Sequence, residues 1–288
     1  MSNVRVIFTS TLSSSRLMAR LALQYATTGN TITTVDHQYG TGAALQAARD
    51  GLGDVVFGHS RVDEFIFKGE NFAKLRKWVC YNYFILVGPA SSSPLGANLK
   101  DSLAAIDAAP TGSLFFVSRG SDGRAGTWIR EQQIWSKLGL AFPHNVVSAT
   151  ENGATSTLQD TLNRVLGSQQ AYTLTDLGSW YYFLANVADA SNLKILTPGD
   201  STDAFASNQY AVMPVNDPAT TQACFATGAA VDTGAANDFI TWLTSTAGQN
   251  VINTYGTELN ATKPGFVANA APNNEVFPGD KCLIREIR

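Results

Sequence analysis

Hydroxyls, glycines and an arginine gather at four points of this 288-residue chain. Thr9-Ser10-Thr11 follows the apolar run Val4–Phe8, and Gly58-His59-Ser60 follows Asp54–Phe57. A longer segment, Ser118-Arg119-Gly120-Ser121-Asp122-Gly123-Arg124-Ala125-Gly126-Thr127, closes the run that starts at Leu114. The fourth is Tyr172-Thr173-Leu174-Thr175-Asp176. This chemistry suits a tetrahedral oxyanion: each hydroxyl and each amide at a helix N-terminus aims one hydrogen at one oxygen, with little net positive charge. Arg119 would add a charge-assisted, bidentate-capable contact. Singly, each segment is also what any α/β protein uses for turns and helix caps. Their coincidence is what carries information.

Other chemistries lack their residues. Gly40-Thr41-Gly42 has no third glycine for a dinucleotide loop, and there is no phosphate-loop or HExxH sequence. The three histidines, His37, His59 and His144, leave little for a zinc site. In Gly58-His59-Ser60-Arg61-Val62 the nucleophile-elbow pattern fails, and neighbouring residues on an extended chain point opposite ways, so His59 and Ser60 make a poor dyad. Asp36 and His37 read as surface polar residues without a third partner. No cofactor, catalytic residue or metal cation is expected. Cys80 sits in an apolar run and reads as a buried thiol; Cys224 and Cys282 are the one pair worth testing as a disulfide.

The elements that must position these groups alternate. β-branched runs (Val4–Phe8, Thr31–Val35, Asp54–Phe57) are separated by amphipathic runs at Leu17–Tyr25 and Gly40–Arg49, the pattern of βα units on mostly parallel sheets. Thr9–Ser15 reads as a hydroxyl-rich turn. A second series follows: helix Leu99–Ala108, strand Leu114–Ser118, helix Thr127–Leu138, helix Ala154–Leu166, strand Ala171–Leu174, helix Leu177–Asn186 and strand Leu193–Leu196. Helices over Ala235–Tyr255 end the pattern. Two extended segments, Val79–Val87 and Gln209–Val215, separate the series and predict two lobes on a two-stranded hinge. Ligands of open α/β sheets bind beyond the carboxyl ends of the strands, here in the cleft between lobes.

Composition sets outer limits. The 20 lysines and arginines stand against 23 aspartates and glutamates, and only 15% of residues are charged where about 25% is usual. A basic nucleic-acid-binding face is therefore not expected. With 44% hydrophobic residues and no apolar run of about 20, the chain reads as globular and not membrane-embedded. At roughly 150 residues per domain its length suggests two compact lobes or one large α/β unit. The N-terminus enters a strand pattern directly, without a signal-peptide pattern, so it fits a cytoplasmic chain or one whose signal was replaced by a start Met. The single glycosylation sequon, Asn260-Ala261-Thr262, is of a kind common by chance.

Several segments together resemble the tungstate-binding periplasmic components of ABC importers, which have the type II periplasmic-binding-protein fold. Phe116-Val117-Ser118-Arg119-Gly120 is similar to the family's FVSRG loop, and Ala171-Tyr172-Thr173-Leu174-Thr175-Asp176 to its AYTLTD strand. Asp54–Ser60 resembles its DVLLVHS segment and Tyr81–Pro89 its YNDFVIVGP strand; Trp242–Ser245, Gly248-Gln249 and Tyr255-Gly256 resemble the fold's closing helices. The resemblance implies an α/β fold of two lobes, each a mostly parallel sheet flanked by helices. It implies lobe 1 over 1–83 and 211–288, lobe 2 over 84–210, and a hinge near 81–87 and 209–215. It places Thr9, Ser10, Ser60, Arg119 and Thr127 at an oxyanion cleft with Thr173 or Thr175 nearby, Thr11 and Ser121 belonging to the same loops. Tungstate or molybdate is the expected ligand, an ABC importer the expected partner after export, and the periplasm or the secreted fraction the expected location.

The chain also departs from that pattern. The family loop SRGDDSGTH is two residues shorter than Ser118–Trp128 and has His where Trp128 stands, and the N-terminal TTTSTxDSG is loosened to Phe8–Ser15. A rival expectation follows from these changes and from the aromatic segment Trp180–Phe183: a stand-alone carbohydrate- or protein-binding module, lectin-like or storage, and oligomeric. On a helix at least two of those four aromatics must face the core.

Overall fold

The computed structural model describes residues 2–120, 125–140, 145–148, 157–198, 200, 202–203, 205–216, 230–259 and 264–269. Ser121, Arg124, His144, the Cys224 and Cys282 pair and the Asn260 sequon lie outside these, as do the side chains of Asp36 and His37.

β1 (Asn3–Thr9), β2 (Thr31–Tyr39) and β3 (Val55–Gly58) form one parallel set. β5 (Phe115–Ser118), β6 (Val146–Ser148) and β7 (Ala171–Asp176) form another. Between them lie β4 (Lys77–Pro89) and β9 (Ser207–Pro214), giving the order β2-β1-β3-β9-β4-β7-β5-β6; β8 (Leu193–Thr197) and β10 (Val267–Ala268) also pair with β4. β9 runs antiparallel to β3 and β4, and β4 antiparallel to β7, β8 and β10, so the sheet as a whole is mixed.

Ten α-helices connect the strands: α1 (Ser10–Ser14), α2 (Leu17–Ala26), α3 (Thr41–Arg49), α4 (Arg61–Gly69), α5 (Leu99–Ala108), α6 (Gly126–Lys137), α7 (Leu158–Leu166), α8 (Leu177–Asn186), α9 (Thr233–Thr244) and α10 (Thr246–Asn253), counted among the described residues. In α2, Leu17, Met18, Leu21 and Tyr25 are buried on one face, which is the helical spacing of their apolar side chains. Four of these elements differ from the sequence expectation. The hydroxyl-rich Ser10–Ser14 is a short helix and not a turn, Arg61–Gly69 is a helix where none is expected, and the short strands β6 and β10 form where no strand is expected.

The apolar interior divides by chain segment. Two clusters draw their buried residues from Val4–Cys80 and Tyr210–Phe266, on the two faces of β1 and β3: Val6, Phe57 and Phe239 on one, Ile7, Val56 and Phe67 on the other. The other two draw theirs from Phe84–Ala206, with Leu86, Phe116 and Leu174 on one face and Ile85, Val117 and Phe183 on the other. β4 contributes to both halves. Its first part pairs with β9 and its last part with β7 and β8.

Candidate functional site

Four of the five helices that start at the carboxyl ends of parallel strands β1, β2, β3, β5 and β7 begin without a side-chain cap: α1, α3, α4 and α6. The fifth, α8, is capped by Asp176; elsewhere four helices are capped, by Asn98, Thr157, Asp232 and Ser245, and α2 is not. An uncapped first turn keeps its amide hydrogens for something other than the chain's own side chains. The partial positive charge of a helix start favours an anion there.

A buried polar chain ties these strand ends together. Asn82 of β4 stands opposite Asn208 of β9. Asn208 donates from Nδ2 to Asn82 Oδ1 at 2.9 Å and to the Tyr210 hydroxyl at 2.7 Å, and Asn82 donates to Asp176 Oδ1 at 2.6 Å. With both amide hydrogens of Asn208 spent, its oxygen accepts from His59 Nδ1 at 3.0 Å, which fixes the proton of the imidazole on Nδ1. The His59 ring stacks on Tyr210 at 5.2 Å, and the Tyr210 hydroxyl also meets Thr11 of α1. The His59 amide donates to Thr41 at the head of α3, and the ring lies against Gly126 at the head of α6, where a Cβ would collide with it. One histidine therefore touches the starts of two uncapped helices. Burial, joined by the Arg130 charge, pulls its pKa down to about 4 against the bond to Asn208, so it is neutral at pH 7.

The sequence-predicted residues take distinct places. Thr9, Ser10, Thr11, Ser60, Arg119, Thr127, Thr173 and Thr175 are all buried. The hydroxyls of Thr9 and Thr175, at the ends of β1 and β7, have no hydrogen-bond partner among the described residues. Buried unpaired hydroxyls cost roughly 1–3 kcal/mol each, which makes them candidates for a ligand's oxygens. Ser60 already donates from Oγ to Asp63 at 2.7 Å, and Thr173 donates to the Val117 carbonyl at 2.7 Å, where it ties β7 to β5. Thr127 is the second residue of the uncapped α6. Arg119, 1% exposed, brings a guanidinium into this interior.

Two buried glutamates behind the loops are absent from the sequence reading. Glu64 of α4 accepts from the Ser60 amide at 3.0 Å and is ion-paired with buried Arg76 at 2.5 Å. Burial nonetheless raises its pKa, against the Arg76 charge. Glu131 of α6 accepts from Ser118 Oγ at 2.5 Å and from the Arg119 amide at 3.0 Å. Asn82, Asn208 and Tyr210 also go unread, although an asparagine inside each of two apolar strands is a visible anomaly. Asp176, held by Asn82 and by the first amides of α8, has its pKa raised by burial. Trp180 and Phe183 are buried and stack on each other at 6.2 Å, so they form no exposed sugar platform. Cys80 is a buried free thiol, raised in pKa by its burial. Among the described residues, no group of three or more His, Cys, Asp or Glu could hold a metal ion, and no helix is long and apolar enough to cross a membrane.

Comparison with known proteins gives this arrangement its context. A family model described as a PBP superfamily domain matches residues 3–247. The tungstate-binding protein TupA of Peptoclostridium acidaminophilum is 32% identical over 237 residues, covering 81% of this chain and 74% of that protein. TupA of Campylobacter jejuni is 31% identical over 245 residues, covering 84% and 81%. Among solved structures, the tungstate-binding protein TupA from Desulfovibrio alaskensis G20 superposes with a TM-score of 0.70 at 26% identity, over 94% of this chain and 100% of that one. The periplasmic molybdate-binding protein of Azotobacter vinelandii, at 14% identity and a TM-score of 0.56 over 86% and 96%, shares the fold. The scaffold is thus the two-lobed α/β fold of type II periplasmic binding proteins. The chain belongs to the PBP superfamily, in the family of the tungstate-binding proteins.

Proposed function

We propose that this protein is the tungstate- or molybdate-binding component of an ABC importer: it holds the dianion as an oxyanion between its lobes and catalyses nothing. The observation that carries this reading is the buried Arg119 in the loop that leads into the uncapped α6, together with hydroxyls of Thr9 and Thr175 that lack a partner among the described residues. In the binding step the hydroxyls and helix amides replace the water around the anion, and Arg119 supplies the charge-assisted contact. Thr127 and the amides of α6 serve one side, Thr9, Ser10 and Thr11 the other. Tetrahedral dianions share hydrogen-bonding chemistry, so selection against sulfate falls to cavity size.

The division of the core supports lobes of 1–83 with 211–288 and of 84–210, with β4 and β9 as the hinge near 81–87 and 209–215. Closure of the lobes presents one joint surface to the importer's membrane component, and the periplasm is the location that fits this reading. A thermal-shift panel tests the ligand class. Tungstate and molybdate at 100 times their dissociation constants should stabilise the fold by about 2.7 kcal/mol and raise the melting temperature by several degrees. A shift with simple sugars and none with either oxyanion would overturn the reading.

A further inference from the structure

We propose that Glu131 is the positioning residue of the Arg119 loop and the built-in competitor for its charge, so that an oxyanion entering the cleft is accompanied by a proton taken up at Glu131. The inference rests on the oxyanion reading above.

Three consecutive loop residues hang on this one carboxyl. Ser118 Oγ and the Arg119 amide donate to its two oxygens, and the Gly120 amide donates to Ser118 Oγ at 3.2 Å. Gly120 makes the turn possible with φ +80, a conformation costly for residues with a Cβ. The amides of residues 119 and 120 are therefore committed inward. Among the described residues, the donors next along the chain are the first amides of α6, which has no side-chain cap.

The two cleft glutamates are balanced differently. Glu64 has its own arginine, Arg76. The charge acting on Glu131 is that of Arg119, the guanidinium the anion needs. Burial lifts the Glu131 pKa to about 7 against the Arg119 amide, Ser118 and the Arg119 charge. Other ionisable groups on α6 and the elements packed against it are Arg130 and Lys137 of α6, Lys100, Asp101 and Asp107 of α5, Tyr172 and Asp176 of β7, and His59 against the head of α6. None of them figures among the influences on Glu131, and His59 is neutral. An entering dianion adds like charge and takes a share of Arg119. Both effects disfavour the ionised carboxylate, so the proton comes from the buffer and affinity falls as the pH rises above about 7.

Calorimetric titration of sodium tungstate into wild type and Glu131→Gln, in buffers of differing ionisation enthalpy, reads the proton directly. Wild type should take up a fraction of a proton at about pH 7.5, and Glu131→Gln none. The variant should match wild type near pH 6 and bind about threefold to tenfold tighter near pH 8. Equal proton uptake in the two proteins, or a parallel pH profile, would overturn the proposal. Wild type that binds no tungstate would strike the ligand reading instead. In that case carboxyl titration of the unliganded protein still decides: Glu131 should titrate near 7 and move upward in Arg119→Gln, and an unmoved Glu131 would overturn the competition.

Discussion

Gly126 and Asn208 show how little tolerance surrounds His59. A methyl group on Gly126 would run into the imidazole, and the ring is pinned by Asn208 and by stacking on Tyr210. Gly126→Ala should cost about 1–3 kcal/mol, as overpacking of a filled interior does, and should weaken oxyanion binding because the head of α6 shifts. Urea unfolding beside a ligand titration checks both halves; unchanged affinity would detach α6 from the site. Asn208→Leu removes one residue and takes away the partner of two buried groups, His59 Nδ1 and Asn82 Oδ1, while the Tyr210 hydroxyl keeps Thr11. At roughly 1–3 kcal/mol for each group left unsatisfied, this substitution should lower the urea midpoint more than a leucine at an exposed strand position. Ser60 and Thr173 mark a limit of reading residues by type. Their hydroxyls are visible in the sequence, but the commitment of those hydroxyls to Asp63 and to the Val117 carbonyl depends on contacts the sequence does not express.

Among the elements, α4 is the one that periodicity conceals. Its buried residues include Glu64 and Phe67, while Val62, Phe65 and Ile66 are exposed, so the apolar stripe that would announce a helix points the wrong way. Glu64 is buried because Arg76 and the Ser60 amide receive it, an interaction that spans 12 residues and has no local signature. Arg76→Met should destabilise by about 3–5 kcal/mol by leaving that carboxylate unpaired, and adding Glu64→Gln should recover most of the loss. Equal urea midpoints for the single and double variants would contradict this. The other βα units were legible, since α2, α5 and α8 carry their buried residues at helical spacing and β3 is an unbroken apolar run. Strand direction was less so. Whether β4 and β9 run with or against their neighbours is decided by the connections between the two halves, and composition is silent on that.

For the whole molecule, buried groups set opposing pH dependences, His59 in one direction and Glu131, with Glu64 and Asp176, in the other. His59, held near 4 from an ordinary 6.5, refuses in the folded state a proton that the unfolded chain accepts. Stability is therefore lost as the pH falls through that interval, by about 1.4 kcal/mol per pH unit. Glu131, lifted from 4.5 to about 7, keeps a proton that the unfolded chain releases, so its contribution is lost as the pH rises. Between roughly pH 4.5 and 6.5 the two offset each other. Glu131→Gln should uncover the His59 slope, with a urea midpoint that drops more steeply than wild type from about pH 6.5 to 5; identical slopes would remove Glu131 from the linkage. The segregation of the core into two halves joined through β4 and β9 fits the proposed closure, and the sparse charge of the chain fits the proposed site of hydroxyls, amides and one guanidinium. The guanidinium of the buried Arg119 is the proposed holder of the oxyanion. Calorimetric titration of tungstate into wild type and into Arg119→Ala of unchanged circular dichroism should give one tungstate bound per wild-type chain and no detectable binding to the variant; wild-type affinity in Arg119→Ala would remove Arg119 from the site.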